Sequence, residues 1–141
     1  MRKKAVGFAA VVVGLLAVGP VFAGSFGSDA PPARIPIPAH DYAAVVEDQS
    51  GTRVDVTQVS YNGEVFIYGN LGQGQITVPF DTIKEVRFEP STETGKRIAF
   101  VTLKDGQSVK LIVEFDVPAY GKTAFGSYSI EVDKISRISF K

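Results

Sequence analysis

The only histidine of this 141-residue chain, His40, stands beside Asp41, the one place where a base neighbours an acid that could orient it. Catalysis needs such groups held to within about half an ångström. This pair closes a proline-rich stretch that offers no such support, so it reads as solvated. No serine lies in a Gly-x-Ser-x-Gly elbow. The chain has no cysteine, which excludes a thiol nucleophile, thiolate metal sites and disulfide scaffolds.

Two carboxylates occur in matching contexts, Phe80-Asp81-x-Ile83 and Val132-Asp133-x-Ile135. As an acid/base pair they would make a small carboxylate-dependent hydrolase, which requires the carboxyls about 5–10 Å apart. Equivalence in sequence does not supply proximity. A short carboxylate at a tight corner can accept backbone N–H groups, so Asp81 and Asp133 are expected to cap turns. Asp48-x-Ser50-Gly51 and Glu93-Thr94-Gly95 offer oxygens but lack the spacing of a calcium loop. Gly69-Asn70-Leu71-Gly72-Gln73-Gly74 lacks the Gly-Lys-Ser/Thr of a phosphate cradle and reads as a mobile connection between strands. No catalytic residue, cofactor or metal is expected. The aromatics Tyr61, Phe66, Tyr68, Tyr120, Phe125 and Tyr128 remain as candidate contact residues for a protein partner or a glycan.

Charge narrows the partners. Lysine and arginine number 15, as do aspartate and glutamate. Met1-Arg2-Lys3-Lys4, the apolar run Ala5 to Val18 and the ending Val21-Phe22-Ala23 form a secretory signal peptide over residues 1–23. The run is short for a membrane span and is followed by Pro20, so no transmembrane segment is expected after cleavage. Removal leaves 118 residues with twelve cations against fifteen acids, a formal charge of −3. A mildly acidic exported chain is a poor match for nucleic acid.

Residues 24–41 hold four prolines and two glycines and are expected to be a flexible lead-in. From Tyr42 the apolar groups alternate with period two, and no long stretch shows helical spacing. Asn62-Gly63 and Asp105-Gly106 are hairpin signals. The apolar phase slips before Val59, which predicts a bulge near Thr57-Gln58. Pro79 and Pro118 cannot donate to a ladder and mark edges or breaks. Outer-membrane strands would need about 9 to 11 residues of unbroken alternation, and most strands here are shorter and interrupted by Gly, Pro and charge.

The chain also repeats itself. At a shift of 52, seven of the 25 pairs between residues 64–88 and 116–140 are identical, and residues 50–56 match 105–111 at a shift of 55. The expected fold is therefore all-β: two tandem antiparallel repeats, 42–89 and 97–140, with about ten short strands. Neither unit could bury its apolar face alone, so a β-sandwich or paired, partly closed barrels are expected. The expected function is non-enzymatic: binding or assembly, through a protein partner or self-association, in the bacterial envelope, periplasm or extracellular space. A small-ligand or glycan-binding periplasmic protein is the alternative.

Overall fold

The computed structural model describes residues 34–141; the expected signal segment and residues 24–33 of the lead-in lie outside the described residues. The protein is all-β. Its ten strands are β1 (Ala44–Asp48), β2 (Arg53–Tyr61), β3 (Phe66–Leu71), β4 (Gly74–Pro79), β5 (Ile83–Pro90), β6 (Lys96–Leu103), β7 (Ser108–Glu114), β8 (Pro118–Lys122), β9 (Ser127–Glu131) and β10 (Ile135–Phe140). Single 3₁₀ turns, Phe80–Thr82 and Val132–Lys134, lead into β5 and β10. No helix among the described residues is long and apolar enough to cross a membrane.

Local chemistry sets most of the turns. Asn62 and Gly63 both take positive φ, at 55° and 85°, and Tyr61 and Glu64 exchange backbone hydrogen bonds of 2.8 and 3.0 Å. This is the two-residue turn whose twist matches the flanking strands. The hairpins at Gln49–Gly51 and Lys104–Gly106 instead use three-residue loops ending on a positive-φ glycine, Gly51 and Gly106. The bulge in β2 falls where the phase slips, with Gln58 at φ 50° and a register shift between Thr57 and Ser60. Paired bulges also follow Ile83 and Ile135, which is why the buried positions run Ile83, Val86, Phe88 and Ile135, Ile138 rather than strictly alternating.

All ten strands join one curled, half-barrel sheet in the order β9-β8-β2-β1-β10-β5-β6-β7-β3-β4. Every pairing is antiparallel. One sheet thus replaces the expected packing of two separate units. The order has an internal two-fold pattern. Exchanging each of β1 to β5 with its counterpart among β6 to β10, and reading from the other end, returns the same order. At its centre β5 and β10 pair through Val86 and Ile138. Backbone bonds follow suit: Phe80 N–H donates to Val65 O and Val132 N–H to Val117 O, both at 2.9 Å. Lys104 N–H donates to Thr82 O and Gln49 N–H to Lys134 O. Each half sends a hairpin, β3–β4 or β8–β9, onto the strands of the other.

The concave side holds one continuous core, built from alternate residues such as Ala44 and Val46, Val86 and Phe88, Ala99 and Val101, and Leu111 and Val113. The outer side of the central strands carries exposed or half-exposed ion pairs, Arg53–Glu47, Arg87–Glu89 and Arg137–Glu85, with Arg87 stacked on Phe100 at 4.8 Å. Such pairs stabilise little; they mark a solvated face.

Candidate functional site

His40 and Asp41 turn to different partners. The Asp41 carboxylate accepts a 2.8 Å hydrogen bond from the Gln58 N–H, exposed by the bulge in β2, while the His40 ring meets Tyr42 edge-on at 6.4 Å. The same contacts correct the flexible lead-in near its end. Pro38 is buried, Pro36 lies 3.3 Å from where a Gly63 Cβ would stand, and Val59 N–H donates to Tyr42 O. Ile35 is half-buried, and Ile37 is exposed.

Asp81 and Asp133 occupy the middle of the two 3₁₀ turns, but among the described residues neither carboxylate accepts a hydrogen bond. This corrects the expected caps. The turns are closed by Ile83 N–H to Phe80 O and Ile135 N–H to Val132 O, and Thr82 Oγ1 donates to Pro79 O at 2.9 Å. The two carboxylates line separate depressions.

Asp48 is the carboxylate that does hold a turn. Its Oδ1 accepts from Ser50 Oγ at 2.6 Å, Ser50 N–H at 2.9 Å and Thr52 N–H at 3.0 Å. The Ser50 hydroxyl leads the causes that hold its pKa below the ordinary 3.8, against a smaller opposing effect of burial. A group with a depressed folded pKa stabilises above its unfolded value and loses that contribution as pH falls through the folded one. Asp48→Ala is therefore expected to flatten the acid limb of stability below about pH 4, read as urea midpoints measured from roughly pH 2 to 6. An acid limb identical to the parent's would count against this bonding. Among the described residues no group of three or more His, Asp or Glu could hold a metal ion.

The Gly-rich segment is ladder rather than loose connection: Gly69 pairs with Ile76, Asn70 with Gln75 and Leu71 with Gly74 around a two-residue turn. The aromatics divide into two groups. Tyr61 is 1% exposed, which corrects its assignment as a contact residue; burial pushes its hydroxyl pKa well up, with Tyr68 and Glu114 adding to the shift. Tyr61 meets Tyr68 edge-on at 5.1 Å, Phe66 stands 6.1 Å from Tyr68, and Asn62 Nδ2 donates to the Tyr68 hydroxyl. A depression of about 180 Å³ beside Tyr68 is walled by Asn70, Gln75, Thr77, Ile112 and Glu114.

The second group sits on the β8–β9 hairpin. Tyr120 is half-buried, and Tyr128 packs against the core. Phe125 at the tip is 99% exposed. The tip is fixed: Thr123 Oγ1 accepts from Phe125 N–H and Gly126 N–H and donates to Gly126 O.

Both outer strands, β9 and β4, leave one side of the sheet open. Thr123 N–H donates to Gly126 O. Antiparallel alternation then turns the N–H groups of Tyr128 and Ile130 toward β8, and those of Ser127, Ser129 and Glu131 outward. On β4 the position matching Glu131 is Pro79, which has no N–H and blunts that edge.

One feature escaped sequence reasoning. Arg97 is 6% exposed in β6, in the inward register of Ala99 and Val101, and that register was the available signal. Its Nη1 donates to the carbonyls of Val132 at 2.9 Å, Asp133 at 2.8 Å and Ile135 at 3.3 Å, and its Nε to Glu89 O at 3.3 Å. Burial lowers its pKa, opposed by Asp133 and Glu89.

A protein-family model described as an uncharacterised protein matches residues 38–141, a span that includes all ten strands. No curated protein and no solved structure matches the chain.

Proposed function

Since the chain belongs to this family of uncharacterised proteins, we propose that it is an exported, non-enzymatic binding or assembly protein of the bacterial envelope or extracellular space. It acts by accepting a strand, from a protein partner or a second copy, along the open edge of β9. The observation that carries this reading is the pairing of that edge, with its outward N–H groups, with the fully exposed Phe125 on a fixed hairpin tip. Main-chain bonds along an edge give affinity, and one apolar anchor beside it gives a partner something to bury. Export rests on the sequence of residues 1–23. The reading also takes the two halves as duplicated copies, supported by the aligned residues and by the two-fold pattern of the strand order.

Ser129→Pro removes an outward N–H without touching the β8 ladder. It is expected to abolish concentration-dependent association in size-exclusion light scattering, or partner-induced hydrogen-exchange protection of Ser127 and Glu131, while leaving the fold intact. Association or protection that survives in Ser129→Pro would remove the reading. A small-ligand or glycan role has the Tyr68 depression in its favour. Ligand binding there would be indifferent to Ser129→Pro, because it lies on the other hairpin.

A further inference from the structure

The two halves of the sheet differ sharply at one pair of equivalent corners. By the shifts of 55 and 52 residues, Arg97 corresponds to Tyr42 and Val132 to Phe80. In the first half Tyr42 meets Phe80 edge-on at 5.7 Å, and Phe80 lies 4.7 Å from Phe140, so rings fill the corner. In the second half a guanidinium and the smaller Val132 stand there, and a depression of about 520 Å³ opens with Arg97 in its wall.

The four hydrogen bonds of Arg97 use only Nη1 and Nε, and every acceptor is a backbone carbonyl. Among the described residues Nη2 has no partner and no carboxylate is bonded to the guanidinium. Nη2 is not enclosed, so it meets solvent and is free to donate to a solute that enters the depression. The remaining walls limit what that can be. Lys134 has no ion-pair partner among the described residues, whereas Lys96 is bonded to Glu114. Glu93 and Asp133 face the same space and oppose a doubly charged anion, and Gln49 is tied to Asp133 O through its amide. Phe115, 39% exposed, supplies an apolar wall.

We propose that this depression binds a singly charged carboxylate, from a small organic acid or from a peptide C-terminus. Arg97 Nη2 receives it at the floor and Lys134 at the rim, and its apolar portion lies on Phe115. The site goes beyond the strand-addition reading and does not depend on it.

Amide chemical shifts of the labelled protein, titrated with N-acetylleucine, test it. Saturable shifts are expected at Thr94, Gly95 and Lys134, none with N-acetylleucinamide, and weaker binding of inorganic phosphate. Lys134→Glu, on an exposed side chain, keeps the fold and is expected to weaken N-acetylleucine about tenfold. A tetrapeptide with a free C-terminus separates the sources: tighter binding than N-acetylleucine identifies a peptide terminus, and equal binding a small acid. Equal shifts with the amide, phosphate binding as tightly as the acid, or unchanged affinity in Lys134→Glu would each overturn the proposal. So would the absence of saturation at concentrations on the order of 10 mM.

Discussion

Replacing Gly69 with alanine is expected to lower the unfolding free energy by about 3 kcal/mol, at the upper end of overpacking costs. Gly69 lies where β3 crosses β7, at a seam held by the single pair Asn70 and Ile112. A Cβ there would stand 2.7 Å from Ile112 O and 2.9 Å from Val113 Cγ1. A backbone carbonyl cannot swing aside as a long side chain can. The β3–β4 hairpin must lift instead, and with it Ile67 and Val78, both buried. The matching seam makes the same demand: a Cβ on Gly121 would meet Val56 Cβ at 2.8 Å. Gly121→Ala should therefore cost a similar amount. Gly74→Ala is the control, since its nearest neighbour would be Leu71 O at 3.7 Å and a change within about 0.5 kcal/mol is expected. Urea unfolding of the three variants decides the matter. If Gly69→Ala is as stable as Gly74→Ala, the close crossing is not a constraint.

Arg97→Met is expected to cost about 1–3 kcal/mol, the range for stranding buried acceptors whose donor has gone. Methionine fills much of the same space, so the loss isolates hydrogen bonding from packing. Val132 O and Ile135 O are buried acceptors of Nη1, and they belong to the turn that launches β10. Hydrogen exchange should quicken first at Ile135, ahead of the core of β5 and β6. Arg97→Lys should recover only part of the loss, because one ammonium cannot span carbonyls that a planar fork reaches together. A methionine variant with parental stability would mean that the turn holds itself.

What was legible in the sequence is what local chemistry decides. Asn62-Gly63 specifies a turn because few residue pairs accept two positive φ values, and the slip before Val59 specifies a bulge because side-chain direction has period two. Other features depended on partners remote in sequence. Nothing local says that Asp41 reaches Gln58, or that Tyr61 is enclosed while Phe125 is bare. The strand order was hidden for the same reason, since β3 pairs with β7 and β2 with β8 across the halves. Asp81 and Asp133 invited capping by their residue type, yet the turns around them close through backbone carbonyls and leave the carboxylates free among the described residues. Arg97 was readable in principle, as a cation in an apolar register, but its worth lies in carbonyls some 35 residues downstream.

The position of β10 has a kinetic consequence. It is the strand between β1 and β5, so it alone joins β9-β8-β2-β1 to β5-β6-β7-β3-β4. During synthesis every other strand emerges before it, and the two partial sheets must wait with the inner sides of β1 and β5 unpaired. Loop closure between β1 and β10 is the most distant strand pairing among the described residues, and pairings of that kind slow folding to the order of milliseconds to seconds. A chain stopped short of Ile135 would have no strand to bridge the halves. The ten-stranded sheet therefore closes only when β10 is in place, and until then its two halves stand as separate partial sheets.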